Sequence, residues 1–189
     1  MNISKTTNLN IGMHTTSFSV DNISLENVNE IKFLGITLDK NINFNKHFRN
    51  IRNECIAKLS LIRKLKNEYN INNKKLTQLY VPIIRSKIEH SFLPYFSSTT
   101  TKINLTNMES LQNYALRIIQ NKPNWYDPDS LRRNANIMSI EGRMTSLAKN
   151  WFHENKNNKN HPLHINRADF KYFPLYDRLK PLYDTLNDL

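Results

Sequence analysis

The side chains that could carry out chemistry in this chain are few and scattered. Cys55 is the only cysteine, which excludes an internal disulfide and a cysteine-based zinc cluster. It falls in an apolar stripe, where a buried thiol acts as a small hydrophobic group. His161 and His164 could place two imidazoles near one metal ion, but Pro162 separates them and no third ligand is evident. We interpret both histidines as polar residues of the tail and predict no metal site in this chain.

The acidic residues offer no paired arrangement. Two-metal chemistry needs neighbouring carboxylates that hold both ions, yet no two of the 16 acidic residues are adjacent. Tyrosine–aspartate pairs at 126–127, 176–177 and 183–184 have no second acid beside them. The 3 glycines are too few for a phosphate-cradling loop. The sequence predicts no catalytic residues, and an enzyme with an unrecognised site stays open as an alternative.

Positive charge is the strongest compositional feature. The chain has 27 Lys and Arg residues, a net charge of +11 and a pI near 9.8. Residues 46–90 carry 11 basic and 3 acidic side chains, so most of the excess lies in one stretch. Such a local field can attract a polyanion, although a solvated helix face is the alternative interpretation.

The composition also bounds the class of protein. Hydrophobic residues make up 39% of 189 residues, enough for one domain with a core, or for one domain with a small appendage. No apolar run reaches the length of a membrane span, and the first residues lack the pattern of a secretory signal. We therefore expect a soluble, intracellular chain with no membrane partner.

Hydrophobic periodicity predicts a mainly α chain with a small antiparallel β hairpin or meander at 17–42. Residues 1–16 have no periodicity, and we expect a disordered or remnant leader there. Alternation predicts a hairpin with its turn at Asp21-Asn22 and a further strand at 31–38. Gly35 lies in the middle of that strand, where a bend or the close approach of another backbone favours glycine.

A helical period follows and predicts a helical bundle at 43–122 and a further helical region and tail at 123–189. The four helices are expected near 43–69, 73–89, 104–120 and 140–154. Asn43 is the predicted cap of the first helix and Ser139 that of the fourth. The second helix is apolar on two sides, which predicts a central position, and Pro82 predicts a kink in it. The segment NKPNWYDPDS is interpreted as a turn-rich connection.

Two sets of side chains are candidates for nucleic-acid contact. A phosphate backbone can be followed by cations that read no sequence, and five lie on the first helix away from its apolar stripe: Lys46, Arg49, Arg52, Arg63 and Lys64. Trp125 and Tyr126 could stack on unpaired bases, or they could pack their loop against the helices.

The amino-acid sequence of these elements resembles that of a known family. Residues 32–39, KFLGITLD, followed by Asn43-Phe44 and His47, resemble a signature just downstream of the reverse-transcriptase palm in LINE-type (non-LTR) retrotransposons. Further landmarks follow in the order seen in jockey-like elements: LY at 79–80, IRS at 84–86, LQNYALRII at 111–119, PNWY at 123–126, SIE at 139–141 and HPL at 161–163. The resemblance covers about residue 18 to the end.

The resemblance implies the end of the palm, the thumb and the region after it of an RNA-directed DNA polymerase. It implies a primer grip at Lys32, Phe33, Leu34 and Gly35, where a bend lets the backbone approach the primer terminus. The catalytic aspartates and their Mg²⁺ would lie in a palm outside this chain, so no activity is expected from the chain alone. The implied partners are a primer–template duplex of RNA or DNA and the polymerase palm and fingers, and a nuclear location is compatible with the family.

A second hypothesis comes from another class of protein. The chain could be a stand-alone basic helical module, a domesticated fragment of such an element, that binds a protein partner. Binding would use the second apolar stripe of the second helix, formed by Val81, Ile84 and Ile88. This hypothesis predicts a contiguous exposed apolar patch.

Overall fold

The computed structural model describes residues 6–11, 16–20, 22–90 and 101–155. Its strands are β1 (Thr7–Leu9), β2 (Ser19–Val20), β3 (Ile23–Ser24), β4 (Glu26–Val28), β5 (Glu30–Phe33) and β6 (Ile36–Asp39). Its helices are α1 (Asn45–Glu68), α2 (Asn73–Tyr80), α3 (Ser86–Glu89), α4 (Lys102–Gln120), α5 (Pro128–Ala135) and α6 (Ile140–Asn155). A π-helical segment, Val81–Arg85, joins α2 to α3 without a break. The predicted mainly α class, with small antiparallel strands before the helices, is confirmed.

The first strands form two small ladders. β2 pairs antiparallel with β3, as the alternation predicts, and Asn22 in the turn has a φ of 63°. β1 pairs with β4 in parallel, and the Asn8 amide donates to Asn27 Oδ1 at 2.7 Å across this pair. Neither the strand at 7–9 nor the parallel pairing is predicted, because three residues are too few to show a period.

The prediction of one strand over 31–38 is wrong. Leu34 and Gly35 have positive φ angles of 46° and 85°, so the chain reverses between them. β5 and β6 therefore pair antiparallel as a hairpin, with Lys32 opposite Thr37. The alternating pattern is the same for one long strand and for two short ones, and Gly35 is the residue that allows the two-residue turn.

Helix α1 buries the predicted apolar stripe. The stripe residues of this helix that become buried are Phe48, Ile51, Cys55, Leu59 and Ile62. Tyr69 is exposed, contrary to the prediction, because the helix ends at Glu68 and Asn70 has a positive φ of 47°. The predicted cap is wrong by one residue: Phe44 is the cap, with a φ of 59°.

The helical stretch 73–89 lies centrally, as predicted. Leu76 and Tyr80 on one side and Ile84 and Ile88 on the other are fully buried. The irregularity at Pro82 takes the form of the π-helical segment, which accommodates a residue that cannot donate a backbone hydrogen bond. Burial of Ile84 and Ile88 leaves Val81 as the exposed member of its stripe, so this stripe does not form the contiguous exposed patch that the second hypothesis predicts.

Helix α5 occupies part of the segment interpreted as a turn-rich connection, and that interpretation is wrong there. The Asp127 carboxylate accepts a hydrogen bond from the Ser130 backbone N–H at 2.8 Å, and Pro128 occupies the first helical position. Leu131 anchors the helix in the core. As predicted, Ser139 caps the last described helix, its Oγ accepting from the Gly142 N–H at 3.1 Å.

A buried polar cluster, which we call the Arg85 network, joins the central helix to α4 and α6. Arg85 is 4% exposed and pairs with the carboxylate of Glu89. Its guanidinium also donates to Gln112 Oε1 at 3.0 Å and to the Met138 carbonyl at 2.9 Å. The second carboxylate oxygen of Glu89 pairs with Arg143 at 3.2 Å.

No helix in the described part of the chain combines the length and apolarity needed to cross a membrane.

Candidate nucleic-acid interface

The five predicted backbone-contact residues are all exposed on α1, but they divide into two groups. Arg49, Arg52 and Arg63, which we call the arginine strip, share one edge of the helix, because residues 3, 11 and 14 positions apart lie within about 60° of each other on a helical wheel. Lys46 and Lys64 are 18 residues, or five full turns, apart, so they share one face of the helix. That face lies further from the apolar stripe than the arginine strip does.

The arginine strip lies along the edge of α1 that faces α4. Near the start of both helices, the Asn104 amide donates to Asn45 Oδ1 at 2.6 Å. Further along, the Arg63 guanidinium donates to the Tyr114 hydroxyl and lies 5.9 Å from the centre of its ring. The two contacts show that the helices run in the same general direction.

The two groups also differ in how their charge is neutralised. Lys46 lies 3.7 Å from Glu30, and Lys64 lies 3.8 Å from Glu68, so each has a nearby carboxylate. Arg49 and Arg52 have no ion pair within the described ranges. The arginine strip therefore presents more available positive charge than the two lysines do.

The length of the strip suits a nucleic-acid strand. The separation of 14 positions between Arg49 and Arg63 corresponds to about 21 Å along the helix axis, or about six nucleotide steps of one B-form strand. The solvent-facing side of α4 beside it is formed by Ile103, Asn107, Ser110 and Tyr114, none of them acidic. This surface could contact several consecutive phosphates without like-sign repulsion.

The four predicted primer-grip residues lie together at the tip of the β5–β6 hairpin. Lys32 is exposed, and Phe33 and Leu34 are 58% and 79% exposed. Leu34 has a φ of 46°, a left-handed conformation that Asn or Gly adopts more readily than leucine at the first position of such a turn. The tip thus holds two apolar side chains in solvent, one of them on a strained backbone, as is common at functional sites.

The β5–β6 hairpin is fixed to α1 by polar contacts of Thr37 in β6. The Thr37 backbone N–H donates to His47 Nδ1 at 3.3 Å, and the Asn50 amide donates to Thr37 Oγ1 at 3.4 Å. The His90 ring lies against Gly35, so close that a Cβ at position 35 would be 2.8 Å from its Nε2. These contacts set the direction in which the hairpin tip leaves α1.

His47 is a neutral buried histidine. Burial, followed by the positive charge of Lys87, lowers its pKa to about 4, while Glu54 acts in the opposite direction. Since Nδ1 accepts a hydrogen bond, the proton is on Nε2, which is buried without a partner among the described residues. The sequence identifies His47 only as part of a motif. Its position beside the apolar stripe of an amphipathic helix is the signal that could have predicted a buried hydrogen bond there.

The other residues that could carry out chemistry have structural roles in the described part of the chain. Cys55 is fully buried, its pKa raised to about 11 by burial, which fits a small hydrophobic group. Asp127 caps α5, and Asp129 pairs with Arg132. The described ranges contain no cluster of three or more side chains suited to a metal ion, so these residues do not fit the Mg²⁺ pair of a polymerase palm. His161 and His164 lie outside the described residues.

Trp125 and Tyr126 occupy different environments. Trp125 is 84% exposed, whereas Tyr126 is half-buried and packs against the core. Lys122 Nζ lies 4.8 Å from the centre of the Tyr126 ring. Packing of the loop against the helices thus involves Tyr126, and Trp125 is the aromatic ring that solvent or a ligand can reach.

Comparison with known proteins gives one informative relative. No protein-family model and no solved structure matches the chain. A probable RNA-directed DNA polymerase from transposon BS of Drosophila melanogaster is 25% identical over 137 residues, which cover 69% of this chain. The chain spans about 14% of that relative's length. The predicted resemblance is confirmed: this chain is similar to a region of a transposon RNA-directed DNA polymerase, of the non-LTR retrotransposon type.

Proposed function

We propose that this chain holds primer–template nucleic acid as the thumb region of an RNA-directed DNA polymerase, the catalytic aspartates and their Mg²⁺ lying in the palm. The observation that supports it best is the arginine strip. Arg49 and Arg52 are exposed, share one helix edge and lack acidic neighbours on it. Such a surface binds phosphates of any sequence, as a polymerase requires of its duplex-holding elements.

The β5–β6 hairpin supplies the second half of this proposal. Its tip, formed by Phe33 and Leu34, offers apolar contact to a terminal base or sugar, and Lys32 beside it can meet a phosphate. The contacts of His47 with Thr37 and of His90 with Gly35 hold the hairpin against the helices. Backbone contact along α1 and end contact at the tip would together align a primer terminus with a palm.

Salt dependence tests the proposal on the full chain. Fluorescence anisotropy would follow binding of an RNA–DNA hybrid between about 50 and 200 mM salt. We expect Arg49→Gln with Arg52→Gln to reduce the slope of log affinity against log salt by about two, since each phosphate contact contributes about 0.9. Two hybrids of unrelated sequence should respond alike.

The matched control removes the same charge from the same helix. Lys46→Gln with Lys64→Gln eliminates two cations that already have carboxylate neighbours, so the slope should change by less. Equal slopes for the arginine variant and the parent chain, or no binding of either hybrid by the parent chain, would overturn the proposed function.

A further inference from the structure

A cavity of about 690 Å³, lined mostly by residues with polar side chains, lies where the first turn of α2 meets the ends of α4 and α5. Its volume is in the range of sites that bind small organic groups. The lining residues that matter for its chemistry are Lys74 and Lys122, Gln78 and Asn73, and Asn134 and Asn136.

The lining has a one-sided charge. Lys74 and Lys122 are its charged residues, and no carboxylate lines it. Both lysines are exposed and have no ion pair within the described ranges. A cavity with two ammonium groups that have no carboxylate partner favours an anion, and a phosphate is the anion that the rest of this basic chain also favours.

The other lining groups add hydrogen-bonding capacity. Side-chain amides each offer both donors and acceptors, the combination that base edges require. Gln78, Asn134 and Asn136 present such amides at exposed positions. Amides combined with lysines therefore suit a ligand with a phosphate and a heterocyclic base better than a simple anion.

An aromatic platform lies nearby along the chain. Lys122 of the cavity packs on Tyr126, and the loop between them carries Trp125 with most of its ring in solvent. Stacking of an unpaired base on an exposed aromatic ring contributes to single-strand binding without sequence preference. The loop can thus supply the contact that the cavity walls lack.

The cavity also lies at the end of the bundle toward which the arginine strip runs. The shared direction of α1 and α4 brings the last turn of α1 toward the end of α4. There, Lys66 Nζ donates to Asn73 Oδ1 at 2.6 Å, and Asn73 lines the cavity. A strand following the strip toward the end of α1 would therefore reach this cavity.

We propose that the cavity binds an unpaired nucleotide, its phosphate at Lys74 and Lys122 and its base at the amides, as the single-stranded extension of a duplex. The direction of the strand rests on the proposed function, but the site itself does not. The lining side chains are mostly exposed, so their replacement should leave the fold intact.

Anisotropy with two probes tests the proposal on the full chain: a blunt RNA–DNA hybrid and the same hybrid with a short unpaired overhang. We expect the overhang to bind about tenfold more tightly, the effect of one well-stacked base. Lys74→Gln with Lys122→Gln should remove most of this advantage and change blunt-hybrid binding less. Asn134→Ala provides a second cavity variant. Lys149→Gln, on α6 away from the cavity, is the charge control for the lysine variant.

The outcomes separate the two proposals. An overhang advantage that survives in both cavity variants would overturn the unpaired-nucleotide site and leave the arginine strip untouched. A parent chain that does not bind the blunt hybrid would overturn the proposed function. Binding of a free single-stranded oligonucleotide that depends on Lys74 and Lys122 would still support the nucleotide site in the cavity. An abasic overhang that binds as tightly as the normal one would overturn base recognition by the amides.

Discussion

Arginines occupy opposite environments in two regions of this chain. Arg85 is almost fully buried and satisfies Glu89, Gln112 and the Met138 carbonyl. Arg49 and Arg52 are exposed and pair with no carboxylate in the described part of the chain. A net charge of +11 is therefore a poor guide to binding by itself, because part of the positive charge stabilises the fold.

Several motifs of the family resemblance lie at the buried polar contacts around Arg85. The motifs IRS at 84–86, LQN at 111–113 and SIE at 139–141 supply or adjoin these contacts between helices. The Glu109 carboxylate, for example, accepts from the Ile140 N–H at 2.7 Å and pairs with Arg132. These motifs fix how the helices pack, so their presence supports the fold more directly than it supports nucleic-acid contact.

The largest expected effect separates the two kinds of arginine. Arg85→Leu should lower the free energy of unfolding by about 3–5 kcal/mol, because it leaves the buried Gln112 and the partly buried Glu89 with fewer partners. Arg52→Leu should change it by less than about 0.5 kcal/mol. Urea denaturation of both variants measures the difference, and similar losses for the two would remove the distinction between the regions.

A second prediction concerns the histidine that connects a buried contact to the exposed hairpin. His47 has a folded pKa of about 4 against an ordinary value of 6.5, so the unfolded chain binds a proton that the folded chain does not. Its contribution to stability is complete above pH 6.5 and is lost as pH falls toward 4, by up to about 3 kcal/mol. Lys32, Lys87 and His90 disfavour its charged form, and Glu54 favours it.

Chemical denaturation at a series of pH values tests this prediction. The pH dependence between 6.5 and 4 should flatten in His47→Gln, whose amide oxygen can still accept from the Thr37 N–H. His90→Gln, at an exposed position, is the control and should retain most of the slope. A slope that is the same in His47→Gln as in the parent chain would mean that His47 does not couple protonation to folding.

The elements that sequence predicts well here are the long ones. Apolar stripes over many turns, such as that from Phe48 to Ile62, identify helices and their buried faces. The hairpin at 30–39 and helix α5 were missed, because a reversal at Gly35 and a cap at Asp127 each depend on a few residues whose patterns also fit a strand or a turn. The cavity combines residues from three helices, and spacing along the chain contains no signal for it.

The smallest expected effect has the opposite sign and concerns the hairpin tip. Leu34→Asn should raise the free energy of unfolding by up to about 1 kcal/mol, because asparagine tolerates the φ of 46° that strains leucine. If the exposed tip is retained for binding, the same variant should weaken the complex with an RNA–DNA hybrid. Phe33→Ala, which removes a neighbouring apolar side chain without relieving a positive φ, should weaken binding with no gain in stability. A Leu34→Asn chain that is more stable and binds as well as the parent would show that the strained leucine does not contact nucleic acid, and the arginine strip would then be the remaining support for the proposed grip.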